Sequence, residues 1–173
     1  MIRVLGLTVL VALAFGGCGP GAGASGTTTP ITGVDGSFAT CDTETRATPY
    51  TKGMQVTSVD GTRIVKLLES KPGPPVKGTN TWTVEVDDAT TGTPLDGLPI
   101  TVAPYMPDHL HGTTPVGVTP AGPPAGLPAG SGTYTLDPMY LYMSGFWQVK
   151  MNFGVVAVVD SGPYDAMIPI CIP

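Results

Sequence analysis

The chain has 173 residues, of which 12% are charged, and a net charge of −5. That length holds one domain plus export and tether segments, and a weakly acidic chain without a basic patch disfavours nucleic acid and anionic lipid headgroups as partners. Its 24 glycines and 19 prolines are concentrated in a few stretches, so they mark loops and a tether rather than general disorder.

The first element is an export signal. Arg3 supplies a positive start, and Val4 to Phe15 is apolar apart from Gly6 and Thr8. That run fits the apolar region of a signal peptide and is too short to span a bilayer. It ends in Phe15-Gly16-Gly17-Cys18, which resembles the lipobox of bacterial lipoproteins, with Phe15 where Leu is usual. The resemblance implies cleavage after residue 17, acylation of Cys18, and a membrane anchor through lipid on the extracytoplasmic side of the cell envelope. The outer membrane or periplasm is favoured. Residues 18–37 then read as anchor and linker. Their Gly/Ser/Thr/Pro composition cannot bury a core.

Of three cysteines, Cys18 is assigned to lipid. Cys41 and Cys171 remain, one near each end of the expected domain, residues 38–173. An exported chain meets an oxidising compartment, and two cysteines admit one pairing. A Cys41–Cys171 disulfide is therefore expected, with a chain-entropy contribution of roughly 4–5 kcal/mol for so long a loop.

From about residue 50 the apolar pattern has period two. In 81–87 Trp82, Val84 and Val86 face one way and Thr83, Glu85 and Asp87 the other. In 145–153 Trp147, Val149, Met151 and Phe153 are expected inward, with Gln148, Lys150 and Asn152 outward. Both read as half-buried strands. Weaker strands are expected at 54–59, 63–68, 98–103, 132–136, 155–159 and 166–172. Turn signals separate them, such as Asp60-Gly61, Pro72-Gly73-Pro74-Pro75 and Ser161-Gly162-Pro163. Residues 112–132 read as a long Gly/Pro/Ala loop with at most one short strand near 116–118. No long helical period is present. The expected fold is all-β, an immunoglobulin-like β-sandwich of seven to eight strands, with a small barrel as the competing architecture.

Several segments carry a family pattern: Gly78-Thr79-Asn80, Gly92-Thr93-Pro94-Leu95, Met106-Pro107-Asp108-His109-Leu110-His111-Gly112, Gly132-Thr133-Tyr134 and Met143-Ser144-Gly145-Phe146-Trp147. Their order over roughly residues 78–153 resembles the YtkA-like or FixH-like extracytoplasmic domains. Leu110 departs from that pattern where Gly is common, and Ser144 where Pro is common. Some members lie near genes for copper handling or cytochrome oxidase assembly, so the resemblance implies copper as a ligand.

The residues make a parallel suggestion. The chain's two histidines are His109 and His111, which point the same way if the segment is extended. Met106 lies just upstream, Met143 is expected to begin the second tryptophan strand, and Met139 lies near it. Imidazole and thioether donors suit copper where thiols are oxidised. Binding needs both imidazoles neutral, so acid opposes it. The candidate metal set is Met106, His109, His111 and Met143. Alternatively, Met143 fills the core and Asp108 with the histidines fixes the loop. Asp87, Asp88 and Asp96 read as solvated turn residues before they read as a calcium site. No Gly-x-Ser-x-Gly elbow or phosphate-cradling loop is present, so an enzyme ranks last. The leading expectation is a lipid-anchored, non-enzymatic envelope protein that binds or delivers copper. The alternative is a metal-free structural or interaction module meeting an envelope partner.

Overall fold

The computed structural model describes residues 40–121, 131–154 and 162–173. The expected signal peptide, Cys18, the expected linker, the strand expected at 155–159 and residues 122–130 of the Gly/Pro loop lie outside the described residues. The described residues all belong to one compact unit, Gly36–Pro173.

Among the described residues nine strands form: β1 (Met54–Thr57), β2 (Arg63–Lys71), β3 (Gly78–Asp88), β4 (Ile100–Met106), β5 (His111–Gly112), β6 (Val118–Pro120), β7 (Thr133–Leu141), β8 (Gly145–Phe153) and β9 (Ala166–Ile172). They make two antiparallel sheets, ordered β1-β2-β3-β7-β6 and β5-β4-β8-β9. The architecture is all-β and sandwich-like, with nine strands among the described residues where seven to eight were expected. The additional short strand, β5, forms where the histidine segment turns back on β4.

Alternation explains which faces meet. Trp82, Val84 and Val86 of β3 and Trp147, Val149 and Met151 of β8 are fully buried and join one core cluster. The two tryptophans therefore serve the two halves of one core, as the pattern implied. Two irregularities re-phase the first sheet. β2 shifts register between Leu67 and Glu69, and β3 between Asn80 and Trp82. Across from the second shift, β7 carries Asp137-Pro138, and its buried positions change from Tyr134 and Leu136 to Met139 and Leu141. A bulge moves one strand's side chains to the other face without ending the ladder.

The outward face of β8 departs from expectation. Lys150 is 4% exposed and Asn152 is also buried. The Lys150 ammonium lies 4.3 Å from the Tyr105 ring centroid and 5.7 Å from that of Tyr164. Aromatic cover lets a lysine bury its stem while its charge meets ring faces. Period two located this face correctly, but it gives no sign of what lies over it.

Residues 40–50 form a strap against the outer face of the second sheet. Cys41 and Cys171 are bonded, with Cα atoms 5.4 Å apart. Cys171 pairs with Phe146 across β9 and β8, and Thr48 donates to the Pro169 carbonyl at 3.0 Å. Between the sheets, the Tyr134 hydroxyl donates to Leu95 O at 2.6 Å and accepts from Leu98 N at 2.9 Å. This ties the approach to β4 onto β7. Gly132, with φ of +60°, permits that crossing, because a Cβ there would lie 2.6 Å from Val86 O.

Candidate metal-binding hairpin

β4 and β5 form a tight hairpin whose loop is Pro107-Asp108-His109-Leu110. Met106 pairs with His111 and Tyr105 with Gly112. Within the loop, His109 N donates to Met106 O at 3.2 Å and Leu110 N to Pro107 O at 3.3 Å. Leu110 closes the turn in the left-handed region, with φ of 54°. A branched side chain there costs about 1 kcal/mol, and Leu110 is 80% exposed. Gly at this position would remove that strain.

His109 and His111 do not lie on one extended strand as the spacing suggested. His109 sits in the turn and His111 on β5. Their rings nevertheless approach, with centroids 5.8 Å apart and planes tilted by 56°. The hairpin turn achieves what an extended segment was expected to do.

Directly opposed residues in an antiparallel pair present their side chains on the same face. His111 therefore shares the inner face with Met106, which is 1% exposed. Trp147 lies alongside, because β4 and β8 are in register as far as Tyr105 with Gln148. The His111 ring meets the Trp147 ring edge-on at 6.4 Å between centroids. Trp147 Nε1 in turn donates to the Met143 carbonyl at 2.9 Å, so residue 143 borders the same indole. The Met106 methyl occupies space left by Gly145, where a Cβ would lie 2.7 Å from it. His111 Nδ1 lies 3.2 Å from Gly112 O. The tautomer that uses this bond carries its proton on Nδ1 and presents the Nε2 lone pair, the arrangement usual for a metal-ligating histidine.

The candidate ligands thus separate into two groups. Met106, His109, His111 and the backbone of Met143 gather at one end of the sandwich around Trp147. Met143 itself lies in the turn before β8 rather than beginning that strand, and its side chain is 36% exposed. Met139 is fully buried on β7 in the core. Among the described residues, no three His, Cys, Asp or Glu side chains group as a metal site.

Asp108 reaches outside its own loop. Arg46 Nη1 and Nη2 donate to its two carboxylate oxygens, each at 2.7 Å. The same guanidinium holds Glu44 through Nε at 2.9 Å and Nη2 at 2.6 Å, and its carbon lies 4.4 Å from the Phe146 ring centroid. These hydrogen bonds from Arg46 hold both carboxyl groups below their ordinary values and raise the guanidinium further. Sequence reasoning missed Arg46. It lies 62 residues from its partner, in a polar stretch with no periodicity to single it out.

The remaining acidic candidates serve the turns and sheet. Asp88 Oδ1 accepts from Thr90 N and Thr91 N, and these bonds lower its carboxyl. Asp96 accepts from Gly132 N at 2.8 Å, and Asp87 pairs with Lys66. Asp88 and Asp96 thus serve turns as expected, whereas Asp87 is buried on β3 and is not the solvated turn residue its position suggested. Compared with known proteins, the chain has no significant match to a family model, a curated protein or a solved structure.

Proposed function

We propose that this chain is a lipid-anchored, non-enzymatic protein of the cell envelope that binds or delivers copper through the β4–β5 hairpin. One observation carries the reading: two imidazoles 5.8 Å apart on one hairpin, with the Met106 thioether on the same face as His111 and Met143 bordering the adjoining indole. Nitrogen and thioether sulfur are the donors that suit copper where free thiols are oxidised. The lipid anchor rests on the first eighteen residues, and the oxidising compartment accords with the Cys41–Cys171 bond. His109 and His111 act as the primary ligands, and Met106 and Met143 as soft partners.

The test is titration of the purified chain with copper(I) and copper(II), comparing wild type with the His109→Ala/His111→Ala variant. Loss of binding in the variant is expected. Equal affinity in the two proteins would falsify the reading.

A second reading is supported by a separate observation. Leu110, Tyr142 and Met143 are exposed at the same end of the sandwich, and a strained leucine facing solvent suits a protein contact. Under that reading the hairpin meets an envelope partner without metal, and retention of partner capture by the double-histidine variant distinguishes it.

A further inference from the structure

Asp108 is the only anionic side chain in the loop that carries the histidines. Two imidazoles and a carboxylate make a familiar three-donor set for zinc(II) and related divalent ions. Here that carboxylate already has a cationic partner. Both oxygens accept from the Arg46 fork at 2.7 Å, and the fork is braced by Glu44 and by the Phe146 ring.

We infer that Arg46 is a specificity-determining residue of the hairpin, withholding Asp108 from the ligand set so that the site takes a soft monovalent ion in preference to a divalent one. The inference rests on the proposed metal-binding function and adds the identity and oxidation state of its cargo. Without the carboxylate, the donors that remain are imidazole and thioether, which satisfy copper(I) at low coordination number and leave zinc(II) short of an anionic oxygen. Arginine suits this role because its planar fork occupies both carboxylate oxygens at once, which a lysine cannot do.

The experiment uses the full chain titrated with silver(I), an air-stable probe for copper(I) chemistry, and with zinc(II). Arg46→Gln should raise zinc(II) affinity by about tenfold or more, the scale on which partners of metal ligands act, while silver(I) affinity stays unchanged. Adding Asp108→Asn to Arg46→Gln should remove the gain. Arg46→Lys, which keeps the charge but loses the fork, should show an intermediate gain and guards against an unfolded glutamine variant. Asp108→Asn alone should leave silver(I) affinity untouched. Silver(I) binding with no zinc(II) gain in either arginine variant overturns the inference and leaves the metal reading standing. A loss of silver(I) affinity in Asp108→Asn also overturns it, because Asp108 would then be a ligand already. Absence of silver(I) binding in wild type overturns both.

Discussion

Two clusters in this domain have the same composition and opposite consequences. On the first sheet, Lys66 bridges Glu85, at 2.7 Å, and Asp87. On the second, Arg46 bridges Glu44 and Asp108. Each is one cation between two carboxylates outside the core. The Lys66 cluster joins β2 to β3, strands already held by a long ladder, and its Asp87 is buried with Oδ1 making no hydrogen bond. The Arg46 cluster joins a strap to a loop tip, which no ladder connects. Thus the first pair concerns the free energy of folding, whereas the second determines where one loop's side chains are. Burial makes an ion pair costly to break. In the Arg46 cluster the Glu44 side chain is 4% exposed, but the Arg46 side chain is 46% exposed, so solvent screens the pair and its geometric effect outweighs its effect on stability.

The comparison can be broken most directly by cutting the covalent support of one side. Replacing Cys41 and Cys171 with Ser should lower stability by about 2–5 kcal/mol, read as a shift in the urea midpoint. Amide exchange should then quicken first in residues 40–50 and in the 107–110 turn, and last in β3 and β7. Uniform loss of protection would mean that the strap is not a separate support for the hairpin.

The two ion clusters can next be set against each other. Asp87→Ala removes the buried one of two partners of a lysine about a third exposed, so a loss of about 1–3 kcal/mol is expected after discounting for solvent. Arg46→Gln should cost less than about 1 kcal/mol. Equal losses in denaturant unfolding would erase the distinction between a folding pair and a positioning pair.

The smallest expected effect is the pH response. Hydrogen bonds to Asp87 and Glu85 raise the Lys66 ammonium above its ordinary 10.5. Its contribution is therefore complete below 10.5 and lost as pH rises through the higher folded value. Hydrogen bonds from Arg46 lower Asp108 and Glu44 from their ordinary 3.8 and 4.5. Their contribution is complete above those values and lost as pH falls through the lower folded ones. Urea midpoints of wild type and Lys66→Met should therefore converge in strong alkali, and those of wild type and Arg46→Gln in strong acid. Convergence of either pair at the opposite end would contradict the assigned partners.

The sequence by itself determined the elements that depend on near neighbours. Alternation in 81–87 and 145–153 marked the two tryptophan strands, because a strand's side chains repeat every two residues and a buried face must be apolar. The cysteine pairing followed from counting, once Cys18 was assigned to lipid. The tertiary structure decided what crosses between segments. Spacing brought His109 and His111 close on paper as an extended pair, but a turn does so in the fold, with Met106 beside His111 only because β5 folds back on β4. Lys150 had the alternation of an outward residue, and Tyr105 and Tyr164 cover it. Arg46 acquires its role solely because the disulfide-held strap passes Asp108. Local periodicity records how a segment meets solvent and core, whereas a contact spanning 62 residues exists only after both ends have been carried to the same place.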